Sequence, residues 1–428
     1  MRVISLFRVV GIGVVLLAGP RPASAQAPAD VQALQVQIEQ LKKEFGDRLA
    51  ALEARLTAVQ TAQPTAAPAA TAVAAPTEPS PVTQAPVTQA TVAQAPAASS
   101  KVFNPDIAVI GDFLGAAGSN TVNPSPAMEM HESEASFQAV VDPYARADFF
   151  LSFGEQGVNL EEGFVTLTEL PGRLQVRVGK MRAAFGKVNS LHNHVLPWAD
   201  RPLVTANLVG GEDGINDAGV SVARLVPNPW IFLEATGQVF RGDSGDNFYK
   251  SSQPSDLNYV AHLRGYHDLS ESTNLDLGFS FSHGHNASGI VNGVDVGRFT
   301  TQLFGVDATL RWRPLTRAIY HQFVGRSEVI WSHRDQFDGL QRAMGYYVSG
   351  DYQFARRWFA GARVDRSDRA DNASLLDRGQ SLMLTYWPSE FSQLRGQYRR
   401  TSYADGPTAN EFLMQFQFAI GAHGAHPF

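Results

Sequence analysis

The sequence predicts an all-β chain, a transmembrane antiparallel β-barrel of about 16 strands, preceded by an N-terminal coiled-coil helix and a disordered Ala/Pro/Thr-rich linker. Three observations predict it. Segments of about ten residues with period-two alternation recur from residue 101 onward, the length a tilted strand needs to cross a bilayer. Aromatics including Trp331, Tyr346, Tyr352, Trp358, Tyr386 and Tyr398 recur near the ends of those segments, where interfacial girdles form. Short turns alternate with long polar connections over 116–133, 181–215, 241–256, 284–298 and 366–377. A soluble sandwich shares the alternation but uses shorter strands.

The N-terminal elements come first. Arg2 and Arg8 precede the apolar run Val9 to Ala18, and Ala23-Ser24-Ala25 follows as a small-x-small cleavage site, so residues 1–25 read as an export signal. Residues 26–63 hold a helix whose Leu34, Ile38, Leu41, Phe45, Leu49, Leu52, Leu56 and Val59 step by threes and fours, a coiled-coil seam. Residues 64–100 are almost entirely Ala, Pro, Thr, Val and Gln, which cannot build a core, and a flexible chain of that length spans about 30–36 Å. The seam therefore has to be covered away from the barrel. Self-association into a homotrimer or other small oligomer is expected, with contact to peptidoglycan as the competing use.

Residues 101–428 hold the barrel. Strands are expected near 103–113, 134–141, 144–153, 160–168, 173–180, 217–225, 230–240 and 257–267. They continue near 274–283, 300–312, 318–332, 342–353, 357–365, 379–388, 391–401 and 411–421. In NLDLGFSFSH, Leu275, Leu277, Phe279 and Phe281 share one face while Asp276, Gly278, Ser280 and Ser282 share the other. YARADFFLSF and LFGVDATLRW divide in the same way, and a barrel of this strand number leaves a water-filled interior. The last strand, Phe412 to Ile420, carries Phe416-x-Phe418 as an aromatic signal for barrel-assembly machinery, and Gly421 to Phe428 forms a separate tail.

On the water-facing positions stand Arg146, Arg177, Arg264, Arg311, Arg326, Arg363, Arg395 and Arg399, interleaved with Asp148, Asp307, Glu328, Asp351 and Asp365. Guanidinium groups along an aqueous channel attract anions, whereas the same groups paired with acids across strands fill a polar lumen. The connection 181–215 carries Phe185, Leu196, Trp198, Leu203, Val204 and Leu208, too much apolar surface for a loop in solvent. It is expected to fold onto the lumen wall and constrict the channel, with His192, His194, Trp198 and Arg201 as its candidate residues.

Other chemistries find little support. The chain has no cysteine, which excludes disulfides and thiolate sites, and a net charge of −6 offers no basic face for nucleic acid. No Gly-x-Ser-x-Gly, His-Glu-x-x-His or phosphate loop is present, so no catalytic residue is assigned. The pairs His192 with His194, His283 with His285 and His423 with His426 suit zinc or copper, and MEMHESE around His131 could add oxygen ligands. A His-x-His pair alone does not fix a third ligand, so no metal and no cofactor is assigned.

With its export signal, its coiled coil and linker and its barrel over 101–428, the chain resembles Gram-negative outer-membrane porins, in particular the phosphate-selective porins O and P. The segment LPGRLQVRVGKMRAAFGKVN, residues 170–189, is similar to the strand and turn such porins place before an inward-folding loop. The resemblance implies residence among outer-membrane lipid with the coiled coil in the periplasm, a trimer, and passive diffusion of small hydrophilic solutes; an anion preference is expected from the Arg-rich lumen alone. Selectivity is not carried over, because the phosphate-contacting residues of the family cannot be matched here. Two other readings stand beside it: a metal-linked outer-membrane receptor or uptake barrel using the His pairs, and a structural tether between outer membrane and cell wall.

Overall fold

The computed structural model describes residues 105–154, 157–245 and 248–421, with Lys43 alone ahead of them. The expected signal, coiled coil and linker, and the tail from residue 422, lie outside the described residues. The strands are β1 (Asp106–Ser119), β2 (Met128–Asp142), β3 (Ala145–Gly154), β4 (Gly157–Leu170), β5 (Leu174–Arg182) and β6 (Asn216–Leu225). There follow β7 (Phe232–Phe240), β8 (Asn258–Ser270), β9 (Thr273–His285), β10 (Ile290–Val291), β11 (Val294–Asp295) and β12 (Thr300–Trp312). The last are β13 (Gln322–Gln336), β14 (Gly339–Ala355), β15 (Trp358–Asp368), β16 (Leu376–Ser389), β17 (Ser392–Ser402) and β18 (Ala409–Gly421).

All but β10 and β11, a small hairpin inside one connection, belong to one closed antiparallel barrel in which each strand pairs with its sequence neighbours. Closure comes from β1 against β18, in register from Ala108 opposite Gly421 to Ser119 opposite Asn410. No edge is left to pair with another chain. Each of the sixteen expected segments overlaps one barrel strand. Several strands run further than the alternation showed. The connection expected over 116–133 narrows to 120–127, because the β1–β2 ladder continues to Gly115 opposite Met128. His131 and Glu132, expected in that connection, therefore stand on β2. Backbone pairing does not require an apolar face, and here the inner face is polar.

Connections differ between the rims. The rim holding the start of β1 and the end of β18 has brief turns such as 143–144, 271–272, 356–357 and 390–391, while the opposite rim carries 183–215, 241–257 and 286–299. Along the outside, most alternate residues in the middle of the strands are apolar and open, among them Phe153, Val178, Leu263, Phe279, Val348, Leu382 and Met414, with Phe412 52% exposed. An exposed apolar surface running round a whole molecule far exceeds the patches of soluble monomers and is what a lipid-facing barrel presents. No described helix is long and apolar enough to cross a membrane.

The inner face is covered instead. The loop 183–215 buries Phe185, Val188, Leu196, Trp198, Val204, Leu208, Val209 and Ile215 against wall residues such as Met181, Leu303, Ile330, Tyr347 and Met383. At about 1.5–3 kcal/mol for each large side chain removed from water, this small core inside the lumen fixes the loop firmly. The connection 241–257, one of the long polar connections, also turns inward. Tyr249 on it is fully buried and shares a hydrogen bond of 2.9 Å with Ser282 on β9.

Candidate pore constriction

The inward loop begins where β5 ends, and its first turn depends on one glycine. Gly186 has φ +59, and a Cβ there would overlap the Glu328 carboxylate, so only glycine fits. From that point the loop is tied to the wall in sequence order. The backbone N–H of Ala184 donates to Gln238 on β7 (2.7 Å), that of Gly186 to Ser280 on β9 (2.8 Å) and that of Val188 to Glu328 on β13 (3.4 Å). Further on, His192 meets Glu134 on β2 and Glu162 on β4, while Gln417 on β18 and Arg395 on β17 donate to the carbonyls of His194 and Leu196. The last ties are the N–H of Ala199 to Gln397 on β17, the N–H of Leu203 to Asp365 on β15, and Asn207 to Asp377 on β16. These strands lie all round the ring. The loop was expected to lie on the lumen wall; it crosses the lumen, because its polar backbone can be satisfied only by partners on several sides.

The arginines on the inner face divide into two sets. Arg363, Arg395 and Arg399 lie beneath the loop and hold it. Arg363 donates to Asp365 and to Asp200 of the loop, both at 2.8 Å, and packs 4.9 Å from the Trp198 ring centre. Arg399 bridges Asp200 (3.0 Å) and Glu411 (2.7 Å). Burial alone would raise the Asp200 carboxyl, but Arg363 and Arg399 outweigh it and hold it at about 2. Arg201 braces the loop from within, donating to Asn193 and to the carbonyls of Val188 and Leu191, and burial lowers its guanidinium to about 10.

The second set stands toward the rim of brief turns and is partly open. Arg264 (2.7 Å), Lys187 of the loop (3.4 Å) and Arg311 (3.8 Å) all converge on Asp276. Burial, with Arg264 and Arg311 adding to it, lowers the Lys187 ammonium despite Asp276. Arg326 pairs with Asp351 (2.5 Å), Arg146 pairs with Asp148 (2.9 Å), and Arg177 lies 5.3 Å from the Phe164 ring centre.

A third cluster sits where the loop meets β2 and β4. Two β-bulges build it. Asp112 pairs with Glu132 and Phe113 with Met130, leaving His131 as the extra residue; Phe150 pairs with Glu162 and Leu151 with Leu160, leaving Glu161 extra. Neighbours that strict alternation would send to opposite faces thus both turn inward. His131 reaches Asp112 and Glu212, each at 3.5 Å, and Glu161 reaches Arg182 at 3.3 Å. The hydrogen bond from His131 holds the Glu212 carboxyl below its usual range. His192 lies with Nδ1 2.6 Å from Glu134 and Nε2 2.7 Å from Glu162, and Phe150 packs on its ring. Burial lowers the imidazole, but Glu134, Glu161 and Glu162 together raise it well above its ordinary value. Sequence reading named His192 and His194 in the loop and the acids of MEMHESE separately; it missed Glu161, Glu162, Lys187, Asp200 and Asp276 as site residues. The adjacent acids of NLEEGF were the one local sign of the β4 bulge.

No family model matches the chain. An uncharacterized protein of Aquifex aeolicus (strain VF5) is 28% identical, over 77% of this chain and 81% of that relative. Among solved structures, an anion-selective porin from Comamonas acidovorans has a TM-score of 0.51 at 12% identity, covering 74% of this chain and 99% of that one. A high-pH structure of Pseudomonas putida OprB has a TM-score of 0.51 at 10% identity, covering 74% and 94%. A loop-deletion mutant of OmpT, an outer membrane protein of Vibrio cholerae, has a TM-score of 0.50 at 11% identity, covering 74% and 99%. The likeness is one of fold, and the fold is a porin-like barrel.

Proposed function

We propose that the protein is an outer-membrane channel for passive diffusion of small hydrophilic solutes, narrowed by the loop 183–215 and preferring anions. The observation that carries this reading is the closed barrel of sixteen strands with an apolar outer belt and a loop secured across its lumen. Anion preference is supported by Arg264, Arg311 and Lys187 converging on the single carboxylate of Asp276. The coiled-coil seam of residues 26–63 supports assembly as a homotrimer with that helix in the periplasm. The test is conductance of the refolded full chain in planar bilayers. Discrete steps with a reversal potential displaced toward chloride in a KCl gradient are expected; absence of conductance overturns the channel, and displacement toward potassium overturns the anion preference.

A further inference from the structure

The cluster between the loop and β2 does more than the channel reading requires. Glu132, Glu134, His192 and His194 are all buried, and one ligand-capable atom from each lies within 4.8 Å of the others. His194 Nδ1 stands 3.9 Å from Glu132 and 3.8 Å from Glu134, spacings close to the ~3.3 Å between ligand atoms of a tetrahedral ion with bonds of about 2.0–2.1 Å. The decisive point is what these groups lack. Both carboxylate oxygens of Glu132 and the Nδ1 of His194 have no hydrogen-bond partner, although the two side chains are only 5% and 6% exposed. An unpaired buried carboxylate is costly, and chains rarely keep one without a cation.

Charge leads to the same conclusion. Glu132, Glu134, Glu161 and Glu162 face one another across β2 and β4, and the groups in ion-pair contact with them are Arg182 and the imidazoles of His192 and His194. With both imidazoles neutral, as metal ligation requires, Arg182 is the one ion-paired cation left among the described residues against these four carboxylates. Arg201, the nearest further guanidinium on the loop, spends its donors on Asn193 and two loop carbonyls. His192 is also placed as a ligand: Nε2 is held by Glu162 at 2.7 Å, and once an ion displaces the proton between Nδ1 and Glu134, Nδ1 faces Glu134 and His194, the carboxylate–histidine arrangement that orients metal-bound imidazoles.

We propose that Glu132, Glu134, His192 and His194 form a site for a divalent first-row transition ion such as zinc, and that the ion fastens the constriction loop to β2. Two imidazoles with two carboxylates suit such an ion, and the chain has no cysteine to offer a thiolate site. Binding requires His192 Nδ1 and Glu134, now 2.6 Å apart, to separate by roughly 0.7 Å, within the reach of two side-chain rotations. The second group of similar residues, Asp256, His285 and Asp295, serves as the internal control: Asp256 is already satisfied by Ser252, Gln253 and Arg298.

The experiment is zinc titration of the refolded full chain in detergent after chelator treatment, read by calorimetry and by metal analysis after gel filtration. One zinc per chain is expected, with a rise in the thermal midpoint. His194→Ala and Glu132→Gln abolish both; Glu162→Gln weakens binding about 10–100-fold by releasing His192; His285→Ala leaves both unchanged. Glu132→Gln removes a buried carboxylate that makes no hydrogen bond, so the zinc-free variant folds at least as well as wild type, and its loss of zinc cannot be ascribed to misfolding. No uptake by the wild-type chain, or uptake that survives in His194→Ala and Glu132→Gln, overturns the proposal.

Discussion

Asp200 shows how one side chain secures the constriction. It receives Arg363, Arg399 and Gln397 at once, and the two guanidiniums keep its carboxyl at about 2 against roughly 3.9 in an unfolded chain. A carboxyl depressed by folding contributes stability above its unfolded value and loses it as pH falls through the folded one. The contribution, of order 2–3 kcal/mol, is therefore complete above about pH 4 and gone below about pH 2. Asp200→Asn should lower the urea midpoint of the refolded protein at pH 7, whereas at pH 2 the two proteins should unfold together; an equal gap at both pH values would refute the clamp. Part of this was legible in the sequence. Alternation put Arg363 and Arg399 on the inner face, but their partner lies more than 160 residues away on the loop, and no local pattern encodes a pairing at that separation. Alternation therefore places all eight arginines on one water-facing side, while the structure assigns some to the loop and leaves others facing the lumen.

Among the elements, the strands were the most legible part of the chain and the loop the least. A strand such as β9 is specified by its own residues: Leu275, Leu277, Phe279 and Phe281 need an apolar exterior, and the alternate Asp276, Ser280 and Ser282 need the polar interior. The loop is specified by what it touches. Its apolar content signalled that it must fold onto something, yet its path across the lumen depends on wall residues from many strands, and two β-bulges that break the alternation supply the acids around His192. Trp198 is the loop's central anchor, 1% exposed, with its ring 5.0 Å from Tyr347 and beneath Arg363. Trp198→Ala opens a large cavity at a cost of about 3–5 kcal/mol. Because the strands keep their ladders, the loss should fall on the loop and not on the barrel: strand content by circular dichroism is unchanged, single-channel conductance rises, and a protease cuts within 183–215. Unaltered conductance would mean that the loop does not set the narrowest passage.

For the whole molecule, function depends on where charge sits and not on its total. The chain is acidic overall, at −6, and the acids of β2 and β4 are turned toward the loop, so net charge alone points to no anion pathway. Toward the rim of brief turns three cations meet one carboxylate, because Arg264 and Arg311 from β8 and β12 and Lys187 from the loop share Asp276. In a narrow channel with low-dielectric walls such a local excess acts on each passing ion, whereas the outer charges are screened within about 8 Å at physiological salt. Selectivity should then respond to these three residues and hardly at all to exposed charges on the outer connections. Changing Lys187, Arg264 and Arg311 together to Gln removes three positive charges and leaves Asp276 unpaired, so the reversal potential in a KCl gradient should move toward potassium, with the largest change at low salt. Neutralising Arg369 and Asp405, an ion pair between two outer connections, should leave it where it was. Equal shifts from both sets would show that ions sense the summed field of the barrel, and the lumen cluster would lose its claim to set selectivity.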